Sequence, residues 1–129
     1  MASRYSQRVA PFMKQELEQA RRAKDDGRPD QEFLHLERAH VLGQASTYWH
    51  VSVHLAMLTW GVHNRDLREV LGQMFRVVGA ATKTMVGLIP HGNTGGASVS
   101  PFQPMPIAPD LAALIQRAQQ DGHTNQPPQ

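Results

Sequence analysis

Residues 32–61 read EFLHLERAHVLGQASTYWHVSVHLAMLTWG. Two runs of helical periodicity meet here at a short turn. Before the turn, Phe33, Leu34, Leu36 and Val41 set an apolar arc at about 100° per residue. After it, Ser52, Thr59 and His63 mark a polar side, and Met57 and Gly61 lie opposite. Ser46 and Thr47 are good helix N-caps, and Gly43 reads as the stop of the preceding helix. The stretch is therefore a helical hairpin, and the fold around it is expected to be all-α.

Polar side chains stand inside both apolar arcs. Glu37, His40 and Gln44 fall in the middle of the first, and His50 and His54 lie opposite the wet side of the second. Glu37 and His40 are spaced i, i+3, and His50 and His54 i, i+4, so each pair shares a helix face. His35 and Arg38 fall on the outer side of their helix. Unpaired buried groups of this kind cost roughly several kcal/mol each, so something must satisfy them.

Working outward, an earlier helix is expected over about 11–26, entered at Pro11 and closed by Gly27. Phe12, Met13, Leu17, Ala20 and Ala23 define its core face, with Glu16 among them. A helix over about 30–42 follows Pro29, and the third ends near Val62. The fourth begins after Asn64 and is stopped by Pro90. Its apolar residues, Leu67, Val70, Leu71, Met74, Phe75, Val78, Met85 and Leu88, predict a clean core face, with Arg68, Glu69, Arg76 and Lys83 outside. Short connections predict four antiparallel helices in two hairpins. Residues 90–109 are rich in proline, glycine and serine, and Val99, Phe102, Met105 and Ile107 suggest that they pack across the bundle. A short helix over about 110–120 follows. The expected organisation is an N-terminal arm (1–10), one helical domain (11–120) and a disordered tail (121–129).

Composition limits the chemistry. The 129-residue chain has no cysteine, which excludes thiolate metal sites, iron–sulfur clusters and thiol catalysis. The net charge of +2 is spread without an aromatic-interleaved basic stripe, so no nucleic-acid partner is expected. The apolar segment 70–89 is broken by Gln73, Arg76 and Lys83, so no membrane insertion is expected. The first twenty residues have no apolar run of the signal-peptide kind, and a cytoplasmic protein is the expectation.

The sharpest functional expectation is a metal site built from Glu37, His40, His50 and His54, with Glu16 as a further ligand and Gln44 as a supporting neighbour. Carboxylate and imidazole suit a divalent transition metal, zinc or iron first, then nickel or copper(II). The Glu-x-x-His step of di-iron bundles occurs once, which fits one ion or an irregular pair better than a full di-iron centre. A dry network of these same groups is the bland alternative, and it would suit a helical-hairpin interaction module. An iron-dependent oxidase or oxygenase is a third reading; overall the residues lean away from an enzyme. His35, His63, His91 and His123 read as surface or loop residues, with His35 nearest the rim. The run His91-Gly92-Asn93-Thr94-Gly95-Gly96 lacks the Gly-Lys-Ser/Thr of a phosphate loop and reads as an irregular turn. Any part of the fourth helix left bare by residues 90–115 is open to a second subunit, so a homodimer is among the expectations.

The strings HLERAHVLGQ, REVLGQ and GNTGGASVSPFQPMPIAPDLAAL together resemble a small bacterial helical family known only as domain of unknown function 3703. The resemblance spans roughly residues 11–115. It implies a small helical protein and carries no activity. Leu36-Glu37-Arg38-Ala39 is also similar to part of a tetratricopeptide unit, but the period does not repeat.

Overall fold

Ser3 opens the first helix by accepting a hydrogen bond from the Ser6 backbone N–H, so α1 runs Arg4–Asp25. A computed structural model describes residues 3–82, 93–100 and 103–120 of the chain. The helix thus begins well before Pro11, which sits inside it rather than in its first turn. The early turns are held from outside. Tyr5 donates its hydroxyl to the Leu42 carbonyl, and the Trp49 indole N–H donates to the Ser6 carbonyl. These bonds tie the start of α1 to the α2–α3 turn.

α2 spans Pro29–Gly43, α3 Thr47–His63, α4 Leu67–Thr82 and α5 Pro109–Gln120. Gly27, with φ of +68°, takes the left-handed position after α1, as its place in the sequence predicts. Gly43 has a different role from the expected stop. It is the last residue of α2, and a Cβ there would meet the Trp49 Cβ at 2.8 Å and the Met13 Cε at 3.0 Å. Its missing side chain lets α1 and α3 approach the end of α2. Ser46 caps α3 by accepting from the Trp49 N–H, and Asp66 accepts from the Glu69 N–H just before α4.

The fold is all-α. α1 and α2 form one hairpin, α3 and α4 the other, and α5 packs on α1 and α2. Val9, Met13, Leu36, Ala39, Leu42, Trp49, Val53, Met57 and Leu111 make the main apolar cluster. Because α2 contacts α1, α3 and α5, it keeps little wet surface. The side of α2 read as outer meets α1 instead: His35 Nδ1 lies 2.8 Å from Glu16 Oε2, and the Arg38 Nε–H donates to Glu16 Oε1 at 3.0 Å. Arg38 also bridges to Asp110 at the start of α5.

The largest departure is α4. Glu69, Gln73, Arg76, Gly79 and Ala80 are its buried residues, whereas Leu67, Leu71, Met74, Phe75 and Val78 are exposed. The expected core face points outward and much of the polar face points in. The physical reason is the segment 93–100, which lies against the inner side of α4 and requires hydrogen-bond partners there. Both oxygens of Glu69 accept from the Ala97 N–H, and Arg76 donates to the Val99 carbonyl. Gly72 completes the fit, since a Cβ there would come 2.6 Å from the Ala97 Cβ. The expected continuation of the fourth helix to Ile89, and the tail, lie outside the described residues. Among the described residues, no helix is long and apolar enough to cross a membrane.

Candidate metal centre

Three imidazoles converge between α2 and α3. His40 comes from α2, and His50 and His54 come from successive turns of α3. Their ring centroids form a near-equilateral triangle, with sides of 5.0 Å (His40–His50), 4.7 Å (His40–His54) and 4.7 Å (His50–His54). One nitrogen from each ring lies within 4.8 Å of the others. His40 and His54 are each 1% exposed, which leaves water almost no access to their ring nitrogens.

The surrounding hydrogen bonds decide which nitrogens carry protons. His40 Nδ1 lies 2.6 Å from the Asn93 carbonyl oxygen, which can only accept, so the proton is on Nδ1. His54 Nδ1 lies 2.6 Å from Gln73 Oε1. The orientation of that amide follows from its other contacts: Gln73 Nε2 donates to Glu69 Oε1 at 2.6 Å and to the Gly95 carbonyl at 2.7 Å. Gln73 Oε1 therefore accepts from His54, whose Nδ1 is protonated as well. Both Nε2 atoms are left with bare lone pairs, and they face each other at 3.2 Å. His50 Nε2 is likewise buried, with no hydrogen-bond partner among the described residues.

A proton could bridge two such nitrogens only if a ring became cationic, and the site opposes that. Burial, followed by repulsion from His54 and His50, pushes His40 well below the ordinary histidine range. Burial and the neighbouring His50 push His54 down to about 3, and burial lowers His50. All three rings are neutral near pH 7. This is the state in which imidazole binds a metal, and the Nδ1–H bonds to a carbonyl and an amide are the supports that orient metal-binding histidines.

The segment 93–100 is part of this centre, and not the plain turn its sequence suggests. Asn93 is buried; its side-chain amide donates to the Ser100 and Gln103 carbonyls, and its Oδ1 accepts from the Gly95 N–H. Gly95 has φ of +82°, and a Cβ on it would fall 2.5 Å from His40 Cδ2. Only glycine fits both the conformation and the contact.

Of the residues expected at the site, the structure brings His40, His50 and His54 together. Glu37 stands one turn before His40 and is bonded to Thr94; burial raises its carboxyl, opposed by that bond. Glu16 is engaged with His35 and Arg38 on the α1 side of α2. Gln44 is half-buried at the C-cap of α2. His63 is exposed, while His91 and His123 lie outside the described residues. The partners that hold the rings are Gln73, Glu69 and Asn93, and Gly95 gives His40 its room. One signal for the first two was present: Glu69 and Gln73 stand i, i+4 in REVLGQ, a pair that could have faced inward together.

The fold and the cluster define a small all-α protein with a buried tri-histidine centre able to hold a metal ion. The family model described as "Protein of unknown function (DUF3703)" matches residues 7–115, and the chain belongs to that family. No curated protein and no solved structure matches the chain.

Proposed function

We propose that this protein binds one divalent transition-metal ion through His40, His50 and His54, and serves in metal binding, sensing or delivery. The observation that carries the reading is the convergence of bare imidazole lone pairs in a dry space. His40 and His54 have their Nδ1 protons engaged elsewhere, which turns both Nε2 atoms towards each other. Without a cation this arrangement sets lone pair against lone pair; a bound ion converts the repulsion into ligation.

An all-nitrogen donor set disfavours magnesium and calcium, which take oxygen ligands. Iron(II) sites of the facial type include a carboxylate, so three neutral imidazoles fit zinc better than iron, with copper(II) and nickel next. Glu69 supplies the nearest fixed anion in the relay, acting on His54 through Gln73. Three ligands leave a fourth position of a tetrahedral ion for water or a transferring ligand.

Elemental analysis of protein purified without a histidine tag tests the proposal. About one equivalent of a transition metal is expected per chain, falling below a tenth of that in His50→Ala and His54→Ala. Protein that is metal-free as isolated, and whose thermal stability does not change with zinc, iron, nickel or copper, would overturn it.

A further inference from the structure

The outer side of α4 carries a pattern that the histidine centre does not use. Leu67, Leu71, Met74, Phe75 and Val78 are each between 53% and 69% exposed. Leu67, Leu71, Met74 and Val78 follow one another at steps of four, three and four residues, and exposed Ala81 extends the series by three more. That alternation is the seam of a helix that packs along another helix. Among the described residues this face is left exposed, while the inner side is occupied by Glu69, Gln73 and Arg76 with the 93–100 segment. No charged residue lies on the seam, and Arg68 only flanks it.

We infer that this face is the docking surface for a second copy of the chain, α4 against α4 about a two-fold axis. Three observations favour that occupant. First, a two-fold interface sets a patch against itself, so the patch must be its own complement. A strip of leucine, methionine, phenylalanine and valine meets that condition, and it offers nothing to a charged partner.

Second, the residues pair in register when the helices run antiparallel. With the axis between positions 71 and 74, Leu67 meets the partner's Val78, and Leu71 meets the partner's Met74. Each of Leu67, Leu71, Met74 and Val78 is thus matched by an apolar residue, and the two helix dipoles oppose each other.

Third, the area is of the right size. At on the order of 100 Å² of bare surface for each half-exposed large side chain, five give roughly 500 Å². That is near the upper end for the largest apolar patch on a monomer, and most of the ~800 Å² that each partner contributes to a standard interface. The pairing uses none of the three histidines, so it stands whether or not they hold a metal.

Sedimentation analysis of the full chain at tens of micromolar tests the inference. The expected species has twice the 14.4 kDa chain mass. Leu71→Glu and Met74→Glu are expected to weaken association at least a hundredfold while the helical circular dichroism is retained, because both side chains are exposed in the single chain. The chain has no cysteine, so an introduced pair reports cleanly on register. Leu67→Cys combined with Val78→Cys is expected to oxidise to a covalent dimer, and either change alone to do so at least tenfold more slowly. A wild-type monomer at these concentrations would overturn the inference and leave the face to a different partner. A dimer that survives both glutamate substitutions would overturn it equally.

Discussion

At the scale of single residues, the histidines set how stability responds to acid. His40, His50 and His54 all titrate below their ordinary value of 6.5 in the folded chain, mainly because burial disfavours the charged ring. Above pH 6.5 neither the folded nor the unfolded state protonates them, and their contribution to stability is fully present. Below it the unfolded chain takes up protons that the folded chain refuses, so stability falls as pH falls. For His54 the loss continues until the pH approaches 3. Each histidine contributes a slope of up to about 1.4 kcal/mol per pH unit. Glu37 acts in the opposite sense, since burial raises its carboxyl in the folded state. Urea unfolding in the presence of a chelator is therefore expected to show stability dropping between pH 6.5 and pH 5, and Glu37→Gln is expected to steepen the fall just above the ordinary glutamate value of 4.5. Constant stability across that interval would contradict the burial and neutrality of the cluster.

At the scale of elements, α3 was legible in the sequence and α4 was not, for one physical reason. Periodicity reports that a helix has two unlike faces; it does not say which face is inside. On α3, Ser52 and Thr59 mark the outer side because the inner side packs on α2 and α4, where His54, Met57 and Gly61 are buried. On α4 the same inference inverts, because its neighbour is the polar backbone of residues 93–100, and Glu69 and Arg76 satisfy that backbone. The segment itself escaped recognition because its work is done by main-chain atoms: the Asn93 carbonyl holds His40, and the Gly95 carbonyl anchors Gln73. Side-chain spacing cannot reveal such roles. Substitution can. Gly95→Ala places a Cβ 2.5 Å from the His40 ring at a left-handed φ. It is expected to destabilise the chain by about 2–4 kcal/mol and to weaken zinc binding about 10–100-fold. Gly96→Ala is the control; its Cβ would lie 3.1 Å from the Phe33 ring without the left-handed penalty, and the change should be milder on both counts. Equal effects in urea unfolding and zinc titration would show that Gly95 has no special relation to His40.

At the scale of the whole molecule, the histidine centre is where the two hairpins meet. His40 belongs to the α1–α2 hairpin, and His50 and His54 belong to the α3–α4 hairpin. Behind the rings, Gln73 and Glu69 extend the connection to α4, and Asn93 extends it to the 93–100 segment. An ion bound by all three nitrogens would cross-link elements that otherwise meet through modest packing around a polar space. An ion that binds only the folded state, at a hundred times its dissociation constant, adds about 2.7 kcal/mol of stability. For a chain of 129 residues that corresponds to a rise in melting temperature of roughly 10 °C. The gain should be visible locally as well. The Gly95 amide donates to Asn93, whose carbonyl holds His40, and the Ala97 amide donates to Glu69, which holds Gln73 behind His54. Their hydrogen exchange is expected to slow on adding zinc more than that of amides in α5, which packs on α1 and α2 away from the centre. A chelator should reverse both effects, and His54→Ala should abolish them. If zinc raised the melting temperature equally in His54→Ala, the stabilisation would come from another site, and the three histidines would be a packed core feature rather than a ligand set.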